Sequence, residues 1–258
     1  RIKTLILRLE KLRLFRLPSA LLRLAGTAVL CHGIGLPAQQ PLALLPAERR
    51  PAATVDPRPN DTGAALNRII LPPGLTARLW AAEPMLANPV AISFDDQGRL
   101  FVAETHRYTT SALDIREYPS LLERDLASRT IEDRARLLDE GFGAQVAELA
   151  LESERIRLLE DADADGIADS TSVFASGFDS PLDGTASGVL ARRGQVWLTN
   201  LPGLFRLTPD AAQTRAATRE ELLRGFGVHI GFAGHDLHGL IAGPDGKLYF
   251  SVGDRGAH

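Results

Sequence analysis

Two groups of side chains in this sequence have types and spacings that can do chemistry: the alternating carboxylates Asp161, Asp163, Asp165 and Asp169, and the histidines His229, His235 and His238. Alternate carboxylates on a tight loop can converge on one hard cation, and Ca2+ takes roughly 6 to 8 oxygen ligands. Asp161, Asp163, Asp165, the carbonyl of Ile167 and Asp169 fall at every second position, the pattern of an EF-hand-like loop, with Gly166 at the turn. The bidentate Glu that closes such a loop is missing, and the flanking segments read as strands, so an EF-hand domain is not expected. Two readings stay open: a structural Ca2+ site pinning a strand connection, or an Asp-rich solvated turn without metal.

The histidines divide similarly. A zinc site needs three or four ligands converging at about 2 Å. His235 and His238, three residues apart, would converge only on a helix or a tight loop, and Gly231, Gly234 and Gly239 disfavour a helix. The stronger chemical reading makes His235 a general base that takes a proton from a substrate hydroxyl, because an imidazole ordinarily titrates near neutrality. The plain alternative has His235 and His238 lining a channel with satisfied hydrogen bonds.

Both groups need strands to hold them. Leu240 to Ala242 reads as a short apolar strand, Pro244-Asp245-Gly246 as a tight turn, and Leu248 to Val252 as the return strand. The same pattern occurs at Val90 to Ala103, around Gly98, and at Gly188 to Thr199, around Gly194. Gly194 and Gly246 lie about 50 residues apart, the length of one four-stranded propeller blade. Gly98 and Gly194 lie about twice as far apart, which predicts one blade with a long insertion. The outer halves repeat as well, Arg155 to Leu159 and Val173 to Phe178 answering Leu204 to Leu207 and Leu222 to Phe226. The fold class predicted is all-β, a partial β-propeller of about two to three blades. Ser120 with Glu123, and Thr130 with Asp133, have helix-capping spacing, so the insertion, about residues 119–152, is expected to be helical. Leu75 to Trp80 has strand-like composition.

The hydrophobic share of 45%, charged share of 24% and formal charge of -3 fit an ordinary globular chain and argue against a nucleic-acid surface. Basic residues from Arg1 to Arg16 precede an apolar stretch from Leu17 to Leu36, the order of a secretory signal peptide, so residues 1–38 are read as signal-like and the protein as exported, periplasmic or associated with the cell envelope. Residues 39–67 read as a Pro/Ala-rich linker and residues 68–258 as the N-terminal part of the propeller. The one cysteine, Cys31, lies in the signal-like segment, so no disulfide framework is expected. A propeller closes only when its last blade meets its first, so this chain by itself is expected to be inactive.

From about Leu75 to Gly256 the chain resembles bacterial membrane-bound-dehydrogenase-like proteins, related to soluble glucose and sorbosone dehydrogenases of the six-bladed propeller type and often fused to c-type haem domains. Ala82-Glu83-Pro84, Asn88-Pro89-Val90, Phe101 to Glu104, the Arg155 to Asp161 run into the acidic loop, and the block from His235 to Gly256 carry the resemblance. It implies pyrroloquinoline quinone as cofactor, His235 as base eight residues before Gly243, a sugar or alcohol substrate, and a c-type haem domain or cytochrome as electron acceptor. Further quinone contacts would come from other blades. Two alternatives stay beside this dehydrogenase reading: a non-catalytic, Ca2+-stabilised propeller used for binding in a haem-domain fusion, and a propeller lactonase. The lactonase would use Glu104 and Asn200, expected at the ends of innermost-type strands.

Overall fold

The computed structural model describes residues 42–44, 62–108 and 110–257. The signal-like segment, with Cys31, and most of the Pro/Ala-rich segment lie outside the described residues. A short helix, α1 (Thr62–Asn67), precedes the sheets. No helix among the described residues is long and apolar enough to cross a membrane.

The first blade is an antiparallel meander of β1 (Pro89–Phe94), β2 (Leu100–Glu104), β3 (Glu154–Glu160) and β4 (Ser170–Phe178), hydrogen-bonded in chain order. The second repeats it with β5 (Ala186–Arg192), β6 (Gln195–Asn200), β7 (Gly203–Pro209) and β8 (Ala216–Arg224). A third unit consists of the hairpin β9 (Leu237–Ala242) and β10 (Leu248–Val252). This is an all-β, propeller-like arrangement of two four-stranded blades and one hairpin, with β5 packed between β1 and β9.

Turn chemistry explains why the strands reverse where they do. Arg193 and Gly194 both have positive φ, 50° and 68°, the pair of values a two-residue type I′ hairpin turn requires. The turns of β1–β2 and β9–β10 share a different pattern. Asp95 N and Gly243 N donate to the carbonyls four residues on, at 3.0 and 2.8 Å, while Gly98 N and Gly246 N donate back at 3.1 and 3.0 Å.

Alternation along the strands builds the core between the blades. Phe101, Ile156, Leu158 and Phe174 of the first blade face Val189 and Leu198 of the second, and the Phe101 and Phe174 rings meet edge to face at 5.0 Å. The alternate residues of the first blade, Leu100, Val102 and Leu159, turn the other way and are covered by Trp80 and Met85. Leu75 to Trp80 does not become a strand, and of this segment Trp80 packs on the blade. The Trp80 carbonyl accepts from Ala168 N at 2.8 Å instead of joining a ladder.

The long connection from β2 to β3 is helical, as its spacing predicts. It contains α2 (Leu122–Ala127) and α3 (Ile131–Phe142), flanked by 3-10 turns at Ile115–Glu117, Pro119–Leu121 and Gly143–Ala150. Thr130 caps α3 reciprocally: its hydroxyl accepts from Asp133 N at 3.1 Å and the Asp133 carboxylate accepts from Thr130 N at 3.0 Å. Ser120 does not cap α2. Pro119 opens a 3-10 turn that runs directly into the helix, so Ser120 lacks the extended backbone a capping residue needs and Leu121 stands at the N-cap. Tyr118, Leu137, Leu138 and Phe142 pack with Ile230 in a second core that also buries Leu44, whose amide donates to Gln145 Oε1 at 2.8 Å.

Candidate functional site

The acidic loop joins β3 to β4. Ala164 and Gly166 take positive φ, 59° and 90°, and fold the loop back on itself. Asp161 Oδ2 accepts from Gly166 N at 3.0 Å, and Asp169 Oδ2 accepts from Ala162 N at 2.6 Å. One carboxylate oxygen each from Asp161, Asp163 and Asp169 lies within 4.8 Å of the others. That spacing suits a shared cation with metal–oxygen distances of about 2.3–2.6 Å. The second oxygen of Asp161, Oδ1, is buried without a hydrogen-bond partner. Asp165 is not in this group. Its Oδ1 accepts from Ile167 N at 2.8 Å, closing the turn rather than converging on the other three. The Ile167 side chain is exposed.

The three histidines go to three different partners. His229 Nδ1 lies 2.8 Å from the Asp125 carbonyl and His238 Nε2 lies 2.7 Å from the Gly234 carbonyl. His235 Nδ1 lies 3.3 Å from Asp254 Oδ1, and both side chains are exposed, at 56% and 39%. Among the described residues they form no common metal group with each other. The hairpin sets the His235–Asp254 distance. Leu237 pairs with Val252, so continuing that register two residues outward places Asp254 opposite His235, and the intervening Gly253 N donates to the Asp236 carbonyl at 3.0 Å. Gly253 is required by this close approach, because a Cβ there would overlap the His235 carbonyl oxygen.

The His235–Asp254 contact lacks hydrogen-bond alignment, but a carboxylate charge beside Nδ1 favours a proton on that nitrogen and leaves Nε2 as the acceptor. An exposed His–Asp pair of this kind can take a proton from a ligand. Asp254, which composition and spacing alone did not single out, is therefore a candidate site residue that the hairpin register brings beside His235. Phe232 borders the same pair, its ring edge to face with the imidazole at 5.5 Å, and Tyr108 is an exposed ring beside Gly234.

Buried charges carry the floor of this site. Asp236 is fully buried; its Oδ2 accepts from the amide and hydroxyl of Thr185 at 2.5 and 2.8 Å. Its Oδ1 lies 2.6 Å from Arg255 Nε, a charge contact without hydrogen-bond alignment, since that N–H is directed at the Phe232 carbonyl 3.3 Å away. Arg255 also donates to the Leu113 carbonyl at 3.0 Å, so one pair ties the third hairpin to the second blade and to the insertion. Glu154 performs a similar task between the blades. Its Oε1 accepts from Thr105 Oγ1 and from the amides of His106 and Arg107, and its Oε2 from Ala186 N at 2.8 Å. Burial pushes the Glu154 carboxyl up to about 7, against the lowering effect of those amides. Burial also lowers the Arg134 guanidinium, beside Asp236 and Arg255, to about 9, helped by the Arg255 charge.

Glu104 and Asn200 stand at strand ends, as expected, but on second rather than innermost strands in chain order. They end β2 and β6, the second strands of their blades, and both are fully buried. Burial would raise the Glu104 carboxyl, but hydrogen bonding with His106 and Arg157 and from Ala87 N outweighs it and holds the group below the usual range. Arg157 Nε sits 2.8 Å from Glu104 Oε1, and Asn200 donates to the Leu201 carbonyl at 3.0 Å. Glu104 is thus engaged by the fold, whereas Asn200 Oδ1 is buried without a hydrogen-bond partner.

A family model described as a domain of unknown function (DUF7133) matches residues 61–258. No curated protein matches the chain. Among solved structures, an oxidoreductase (glucose dehydrogenase) from Thermus thermophilus is similar at a TM-score of 0.34 and 17% identity, over 65% of this chain and 40% of that one. The PQQ-bound aldose sugar dehydrogenase from Streptomyces coelicolor is similar at a TM-score of 0.32 and 16% identity, over 64% of this chain and 42% of that one. The chain spans about two fifths of the length of each.

Proposed function

The chain belongs to the DUF7133 family, and from its own side chains we propose that it is part of an exported dehydrogenase that oxidises a sugar or alcohol hydroxyl with pyrroloquinoline quinone. The observation that carries this reading is the exposed His235–Asp254 pair at the end of the third hairpin. His235 Nε2 receives the hydroxyl proton, and the Asp254 charge beside Nδ1 stabilises the imidazolium that forms. Pyrroloquinoline quinone would supply the hydride acceptor for the carbon that bears that hydroxyl. The donor chemistry of the site suits that group at one point, a proton acceptor flanked by the rings of Tyr108 and Phe232, against which a planar quinone or a sugar face would rest. Electrons would then pass to a c-type haem acceptor in the cell envelope.

Ca2+ has a structural place in the same proposal. Asp161, Asp163 and Asp169 would hold it, with the orphaned Asp161 Oδ1 supplying a ligand atom that the loop's own amides leave unused. The same loop also supports a second reading, a Ca2+-stabilised propeller that binds without catalysis.

His235→Ala in the full-length protein, loaded with quinone and Ca2+, separates the two. Loss of a general base lowers the rate about 100 to 10,000-fold. His238→Ala, whose ring is engaged by the Gly234 carbonyl, should cost far less. Equal small effects of both changes, with the fold intact, would leave the binding module as the reading.

A further inference from the structure

We propose that the helical insertion between β2 and β3 is a positioning element for His235, acting through Asp114, Arg116 and Phe232. This inference rests on reading His235 as the proton acceptor. Asp114 accepts from Arg116 through two parallel bonds, Nε to Oδ1 at 2.9 Å and a terminal nitrogen to Oδ2 at 2.5 Å. The guanidinium held in this way lies over the Phe232 ring, 4.9 Å from its centroid. The Phe232 ring in turn meets the His235 imidazole edge to face, with an interplanar angle of 86°. Asp254 approaches from the hairpin. A single carboxylate contact on Nδ1 leaves the imidazole free to turn about that contact, and an exposed side chain with two rotatable bonds uses such freedom. An aromatic ring packed against the imidazole removes it.

The backbone around Phe232 is tied to the insertion on both sides. Ile115 N donates to the Gly231 carbonyl at 2.9 Å, Ala233 N to Asp114 Oδ2 at 3.4 Å, and Arg255 reaches from beside Asp254 to the Leu113 carbonyl at 3.0 Å. His235 N donates to the Phe232 carbonyl at 3.1 Å, so ring and imidazole belong to one turn. The Arg116 side chain is 69% exposed. Exposed ion pairs contribute little to folding, whereas a misplaced base loses rate steeply. Arg116 can therefore be removed from the surface without unfolding the chain, which separates positioning from stability.

The test follows the His235 ring directly, by the proton–carbon resonance of its Cε1 in this chain, assigned by its disappearance in His235→Gln. Phe232→Leu and Arg116→Ala should each move that resonance toward the position of a free histidine, with unchanged far-UV circular dichroism, and Arg116→Lys should restore part of the displacement. In the quinone-loaded full-length protein, Arg116→Ala should lower kcat on the order of tenfold to a hundredfold with little change in KM. A His235 resonance that stays in place in both Phe232→Leu and Arg116→Ala, with the fold intact, overturns the positioning role. Absence of turnover in the unaltered full-length protein removes the dehydrogenase reading instead, and the resonance still decides whether the insertion holds the ring.

Discussion

Asp236 and Arg255 meet at 2.6 Å one residue beyond His235 and Asp254, so a buried ion pair and an exposed one lie side by side across the same two chain segments. The buried pair holds the register in which the exposed pair faces. Removing one partner of a buried pair strands the other charge and costs roughly 3–5 kcal/mol. Asp236→Ala should lose stability of that order in denaturant unfolding. A loss below about 1 kcal/mol, the scale of a surface ion pair, would show that the pair is not what anchors the hairpin.

Glu154 should give the protein a pH-dependent contribution of known sign. Folding raises its pKa from an ordinary 4.5 to about 7, so folding favours the protonated form. The contribution is fully present below pH 4.5 and is lost as pH rises through 7. At about 1.4 kcal/mol per unit, the change is on the order of 3 kcal/mol. Glu154→Gln abolishes this titration. The stability difference between the original protein and the variant, measured by urea unfolding from pH 4.5 to 8, should drift in the variant's favour as pH rises. A difference that is constant across that range would contradict the assignment.

Calcium should raise thermal stability through the β3–β4 loop. A ligand bound only by the native state contributes about 2.7 kcal/mol at a hundredfold excess over its Kd. Melting should rise with added Ca2+ and fall with chelator. Asp163→Ala, at an exposed ligand position, should remove the response while leaving the metal-free melting temperature near its original value. Calorimetry that detects no Ca2+ binding would count against the site.

The cap on α3 should be worth about 1 kcal/mol, because Thr130→Ala removes the acceptor of the Asp133 amide. Thr130→Ser keeps the hydroxyl and should recover most of the loss. Matching losses in both variants would assign the effect to packing of the Thr130 methyl instead.

The hairpins and the two-blade repeat were legible in the sequence because their signals are local. Arg193-Gly194 and Pro244-Asp245-Gly246 name their turns by the backbone angles they permit, and Phe101 and Leu198 sit on the periodicity that buries them. The convergence of Asp161, Asp163 and Asp169 was legible for the same reason, as all three lie on one short loop. Long-range partners were not. Phe232 is a solitary aromatic in a glycine-rich stretch until the insertion brings Arg116 over it, and that contact spans more than a hundred residues of chain. Asp254 could have been found by extending the hairpin register past its strands, but the flanking Gly253 reads as a strand end. The partners of Glu104 and Asn200 were not legible, because a strand-end acid or amide looks the same in sequence whether it faces a channel or, as Glu104 does, an arginine on the neighbouring strand.

The Thr185 amide ends in the Asp236 carboxylate, at 2.5 Å and out of contact with solvent. Such a proton exchanges with water only when the segment that covers it opens. Its exchange rate is therefore a clock on the floor beneath His235: it would slow when a ligand settles on the third hairpin and quicken when the hairpin lifts from the second blade, reporting occupancy of the site from a residue that no ligand touches.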